Sequence, residues 1–132
     1  MRLVLALLAC LTALPALAEG RKIGADEFER IVTGTTILFQ SRGQDHGAEE
    51  YLENRRVRWS FLDGDCTEGH WYPQDSQICF VYDDYPDPQC WQFFVENGRL
   101  TALFENDPSG TLLREFSRRD TPLYCIGPEV GV

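Results

Sequence analysis

The residues with the chemistry to act lie in four groups. His46 and His70 are the only histidines. Zinc takes about four nitrogen or sulfur ligands at clustered spacing. Two isolated histidines do not supply that set once the cysteines are paired with one another. Asp63-Gly64-Asp65 and Asp83, Asp84 and Asp87 form two acidic groups, each inside a turn. Calcium wants six to eight oxygens from a longer, regularly spaced loop. Alternate turns of a meander share an end, so these two groups fall on the same end of the molecule. Turn formation accounts for each alone, because aspartate bonds its own backbone. Arg55, Arg56 and Arg58 are the one basic cluster. They suit a partner-facing contact to carboxylates or anions, against the plainer reading of a solvated face balancing the acids. There is no Gly-x-Ser-x-Gly turn and no histidine paired with a free thiol. Carboxylates are too plentiful for spacing to nominate a hydrolytic pair. The expectation is a protein that is not an enzyme and uses no cofactor or metal.

The chain opens on Met1-Arg2, runs almost wholly apolar from Leu3 to Ala18, and reaches Ala16-Leu17-Ala18 before Glu19. This is the anatomy of a cleaved secretory signal. It is short of the ~20 apolar residues a spanning helix needs. Leu7-Leu8-Ala9-Cys10 has a lipoprotein-like look, but cutting there would leave too little apolar stretch before it. Residues 1–18 are thus read as a signal peptide, cleaved at Ala18–Glu19, and 19–132 as one domain working in the periplasm or outside the cell. Four cysteines remain: Cys66, Cys79, Cys90 and Cys125. An even count in an exported chain implies two disulfides, with three possible pairings. The whole chain carries a net charge of −9, and loss of Arg2 makes the domain one unit more acidic. Such a surface repels nucleic acid and anionic membranes. It leaves a protein or cationic partner in the envelope, and a monomer.

The elements that position these groups follow from hydrophobic period. Phe28, Ile31 and Val32 share a face of a short helix over 25–32, closed by Gly34. A strand over 35–40 follows, then a polar loop over 41–47. Val57, Trp59 and Phe61 alternate with Arg56, Arg58 and Ser60, the period of a half-buried strand. A three-residue turn centred on Gly64 sets Thr67, Gly69 and Trp71 opposite Phe61, Trp59 and Val57, with Gly69 making room for the Trp59 ring. A turn over Pro73–Ser76 sets Trp71 opposite Ile78 and Gly69 opposite Phe80. Ile78, Phe80 and Tyr82 continue the same face. Asn97-Gly98 is a hairpin signal that sets Val95 opposite Leu100, Phe93 opposite Ala102 and Trp91 opposite Phe104. After a turn at 106–110, strands are expected over 111–116 and 123–126. The fold class is all-β: a small antiparallel meander closing into a barrel or half-barrel, with one short N-terminal helix that plugs or flanks an end. In this register Cys79 lies opposite Cys90, and Cys66 is left for Cys125. The three tryptophans are large enough to fill a narrow barrel, with Gly69 and Ala102 as spaces beside their rings. A filled interior is therefore expected.

Gly34-Thr35-Thr36, Gly47 with Glu50-Tyr51, Arg56-Val57-Arg58-Trp59, Cys66 with Gly69 and Trp71-Tyr72, Ile78-Cys79-Phe80, Gln89-Cys90-Trp91 and Cys125-Ile126-Gly127-Pro128 together resemble a family of small exported proteobacterial proteins of unknown function. The resemblance covers most of the mature chain and implies an exported β domain, with no activity attached. Size, export and two disulfides are also similar, by analogy alone, to periplasmic barrel inhibitors of lysozyme. The leading expectation is a non-enzymatic binding or inhibitory module. The rivals are a lipocalin-like carrier of a small apolar ligand and a carboxylate-dependent hydrolase.

Overall fold

A computed structural model describes residues 20–126. The signal segment 1–18, its cleavage site at Glu19 and the closing Gly127-Pro128 lie outside the described residues. The elements are β1 (Arg21–Lys22), α1 (Ala25–Val32), β2 (Thr36–Ser41), β3 (Gln44–Tyr51), β4 (Arg56–Ser60), β5 (Thr67–Gln74), β6 (Gln77–Tyr82), β7 (Tyr85–Glu96), β8 (Arg99–Phe104) and β9 (Leu112–Arg119). Strands β2 to β9 pair antiparallel in chain order, and β9 returns to β2, so the meander closes as an eight-stranded barrel. Closure leaves no free edge among those eight strands. The short β1 pairs with β7 at Phe94 and Val95, past the end of the β6 ladder.

Three tight turns set much of the register. Arg42-Gly43, Asp75-Ser76 and Asn97-Gly98 each hold both central residues at positive φ. That is the backbone a two-residue hairpin needs to match strand twist. The Asn97-Gly98 hairpin gives Val95↔Leu100, Phe93↔Ala102 and Trp91↔Phe104, as its sequence implies. Cys79 faces Cys90 across β6 and β7, and the disulfides are Cys79–Cys90 and Cys66–Cys125.

Several expectations are corrected. Residues 41–47 are not a loop, since β3 starts at Gln44 straight after the Arg42-Gly43 turn. The connection between β4 and β5 is not a three-residue turn but spans 61–66, so Val57 faces Gly69 and Trp59 faces Thr67. This loop is held by its own polar groups. Leu62 N–H donates to Ser60 Oγ, Asp65 N–H to Asp63 Oδ1, and Ile126 N–H to the Gly64 carbonyl. The β5–β6 turn sits at Asp75-Ser76, so Trp71 faces Phe80 and Gly69 faces Tyr82. Both registers move by two residues, which preserves the inward face because the side-chain period is two. Residues 123–126 are not a strand. They form a strap across the outside of β3, where Leu123 is buried and its N–H donates to Glu50 Oε2. Cys125 then fastens the strap to Cys66 beside the Asp63–Asp65 turn.

Helix α1 closes one end of the barrel. Its acidic first turn, Asp26 and Glu27, suits the positive helix N-terminus. Gly34, at φ +82°, ends it and donates to the Tyr51 carbonyl. Phe28, fully buried, enters the barrel and packs edge-on against Tyr51 and Trp71, with Phe93 4.4 Å from its ring centre. Such aromatic packing adds about 0.5–1.5 kcal/mol per pair beyond area burial.

Candidate functional site

Above the Phe28 plug the barrel is open inside. A cavity of about 600 Å³ rises from Phe80, Phe93 and Tyr51, between walls that include Phe39, Ala102 and Leu113, to a mouth at the other end. The expectation of a filled interior is overturned. Trp71 is drawn down against Phe28, and Trp59 and Trp91 lie along the walls, so none of the three indoles plugs the centre. The space beside Trp59 comes from Gly47, not from Gly69. A Cβ at Gly47 would overlap the Trp59 ring, whereas one at Gly69 would strike the Val81 carbonyl and Tyr82. Ala102 lines the cavity, so its small side chain leaves space unfilled. Trp91 stacks edge-on with Phe104 at 5.0 Å, and Trp59 with Phe61 at 5.4 Å.

Polar groups are few in this wall and unusual. Glu49 lies on the inward face of β3, between Ile37 on β2 and Trp59 on β4. It is 2 % exposed. The Tyr82 hydroxyl donates to Glu49 Oε1 at 2.8 Å, while Oε2 has no partner. Among the described residues one other buried side-chain atom lacks a partner, Thr67 Oγ1, and Thr67 also lines the cavity. A buried polar atom without a partner costs about 1–3 kcal/mol. Burial pushes the Glu49 carboxyl well above the usual carboxylate range, and the Tyr82 hydrogen bond opposes only part of that. Burial, then the neighbouring Glu49, pushes the Tyr51 and Tyr82 phenols well up. At the mouth His46 packs 5.9 Å from Trp59, and burial lowers its pKa.

The two aspartate turns do meet at one end: Asp63, Asp65 and Asp84 all line the mouth of the cavity. Among the described residues no group of three or more His, Cys, Asp and Glu is arranged to hold a metal ion. His70 stands exposed on the outer face, beside Tyr72. The arginine cluster is divided. Arg55 donates to both carboxylate oxygens of Glu29 at 3.3 Å and lies 4.7 Å over the Trp71 ring, so it fastens α1 to the barrel. Arg58 bridges Glu50 and Glu68. Arg56 is exposed.

Sequence reasoning missed Glu49. A short stretch, Gly47-Ala48-Glu49-Glu50-Tyr51, is buried throughout because the cavity lies on one side of it and the strap on the other. Such a strand shows no alternation. Comparison with protein-family models, with curated proteins and with solved structures finds no match.

Proposed function

We propose that this chain is a non-enzymatic, lipocalin-like binder of a small and largely apolar molecule, held inside the barrel. The observation that carries the reading is the cavity itself: about 600 Å³, closed below by Phe28, open above, and walled mainly by aromatic rings. Ligand sites typically span ~300–1,000 Å³ with an apolar lining and a few placed polar groups. Eight strands are the count that gives a barrel interior wide enough for one small ligand. The outward positions of β4 and β5 carry Arg56, Arg58, Glu68 and His70. That polar exterior around an apolar interior is the reverse of a membrane-spanning barrel. Two disulfides suit work in an oxidising compartment, the periplasm or the exterior. Native mass spectrometry of the disulfide-intact protein, purified from the cells that make it, tests the reading. A stoichiometric small molecule is the expected result. A bare protein whose tryptophan emission no apolar probe changes would overturn it.

A second reading, a module that binds a protein, is favoured by one observation. Phe61, Leu62, Tyr124 and Ile126 are exposed beside the Cys66–Cys125 staple, and Ile126 packs at Gly64. Exposed apolar patches mark interaction sites. A pull-down from envelope extract that loses its captured protein on Phe61→Ser and Ile126→Ser would favour this reading.

A further inference from the structure

The cavity is apolar, and among the described residues the acidic side chains that line it have no lysine or arginine beside them. Four carboxyls line it, Glu49 within and Asp63, Asp65 and Asp84 at the mouth. We propose that the molecule held there is a small organic cation, an amine with an apolar or aromatic body, whose ammonium group meets Glu49. This rests on the reading of the barrel as a small-molecule binder and adds the ligand's chemical class.

Three independent observations converge. First, Glu49 Oε2 has no hydrogen-bond partner, on a side chain buried in the cavity wall; once ionised it is an acceptor, and an ammonium offers three donors. The Thr67 hydroxyl, also unpartnered, lies on the other side of Trp59 on β5 and supplies a second acceptor in the same wall. Second, the walls near the mouth present the rings of Trp59, Trp91, Phe104 and Tyr85. An aromatic face attracts an organic cation as well as an apolar body. Third, the aspartates at the mouth stand where an incoming ligand must pass. Clefts lined by one sign of charge concentrate ligands of the other. An anion would meet Asp63, Asp65 and Asp84 at the mouth with no lysine or arginine beside them among the described residues. A neutral apolar ligand would leave Glu49 buried against it.

Burial favours the neutral acid at Glu49. An arriving ammonium stabilises the carboxylate, so the carboxyl proton is released to water and the ammonium keeps its own. An ion pair with hydrogen bonds then replaces a buried acid with an idle oxygen.

The test uses the disulfide-intact protein and three probes of one body: 4-phenylbutylamine, 4-phenylbutanol and 4-phenylbutyrate, titrated by calorimetry and by quenching of tryptophan emission. The amine should bind at least about tenfold tighter than the alcohol, in line with a charge-assisted hydrogen bond, and the carboxylate weakest of all. Glu49→Gln retains a carbonyl for the Tyr82 hydroxyl and should bring amine and alcohol to within about threefold. Asp63→Asn with Asp65→Asn should slow amine association while keeping most of the preference. If the alcohol or carboxylate binds as tightly as the amine, or Glu49→Gln leaves the preference intact, the cation assignment fails while the binder reading stands. If none of the three binds, the cation assignment fails, and if the purified protein also carries no small molecule the binder reading fails with it. The probe comparison on the unsubstituted protein decides the matter even if Glu49→Gln does not fold.

Discussion

Gly47 on β3 lies directly beneath the indole of Trp59 on β4, close enough that no side chain fits between them. A methyl group there would meet Cζ2 and Cη2 of the ring and the Ser60 carbonyl. The ring lines the cavity, which gives it space to move inward. Gly47→Ala should therefore cost about 1–3 kcal/mol, as over-packing does, and swing the Trp59 indole inward. Urea denaturation measures the first effect. A shift in tryptophan emission, absent when Trp59→Phe is combined with Gly47→Ala, measures the second. An unmoved emission spectrum would mean the strands separate and the ring stays put.

The sequence shows a glycine making room for Trp59 but points to Gly69 rather than Gly47, for a physical reason. Inward parity is visible in sequence, because Val57 and Trp59 alternate with Arg56, Arg58 and Ser60, and Trp71, Ile78 and Phe80 continue the same face by register. Register along the ladder is set by turns. Residues 61–66 are pinned by side-chain hydrogen bonds and by the strap, which no local pattern announces. Asp75-Ser76 takes a left-handed pair of φ values that glycine or asparagine would have advertised. Where Asn97-Gly98 states its turn openly, every pairing matches. Cys79 and Cys90 were legible because both lie on the outward parity of strands with clear periods. The cavity was not. Counting rings gives volume without direction, and Phe28 draws Trp71 away from the centre.

Arg55, a candidate partner-facing residue by its sequence, is held between Glu29 and the Trp71 ring. Its ion pair with Glu29 is partly solvated and contributes little after screening. Its place over Trp71 adds about 0.5–1 kcal/mol. Arg55→Ala should destabilise the fold by about 1 kcal/mol and speed hydrogen exchange in α1. Arg56→Ala, on an exposed side chain, should stay within ~0.5 kcal/mol of the parent. Equal effects of the two substitutions would show that Arg55 does not fasten the helix.

The Cys66–Cys125 bond closes a separation of 59 residues, against 11 for Cys79–Cys90. Loop-closure entropy then assigns about 4 kcal/mol to the first and about 3 to the second. The strap keeps other ties, from Leu123 N–H to Glu50 and from Thr36 Oγ1 to the Thr121 carbonyl. Replacing Cys66 and Cys125 by serine should leave the barrel closed, lower its thermal midpoint, and raise exchange mainly in 121–126 and 61–66. Since Cys66 lines the cavity mouth, an apolar probe that enters the cavity should also be released faster. Exchange that rises uniformly around the barrel would contradict this local picture.

Glu49 makes stability depend on pH in a direction opposite to most carboxylates. Its unfolded value is near 4.5, and burial places the folded value well above that. Above about pH 4.5 the unfolded chain has released this proton while the folded chain still holds it, so rising pH favours unfolding. The loss continues until the folded carboxyl also ionises. The groups facing Glu49 do not cancel the effect. Tyr82 and Tyr51 have phenols pushed upward and stay neutral, and burial holds His46 toward its neutral form. The carboxyls Asp63, Asp65 and Asp84 at the mouth add only like charge. Beyond Tyr51, Glu115 and Arg118 pair with each other at 2.6 Å. Glu27 and Asp107, whose pKa values are lowered by Arg21 and by Ser109, act with the ordinary sign, but equally in any variant at position 49. Glu49→Gln keeps the shape and cannot ionise. Its unfolding free energy should match the parent near pH 4 and exceed it increasingly toward pH 8. Paired urea titrations across that range measure the difference. A difference that does not change with pH would show that Glu49 ionises in the folded barrel as readily as in the open chain. In that case the carboxyl would stand charged in the cavity before any cation arrived, and amine binding would release no proton.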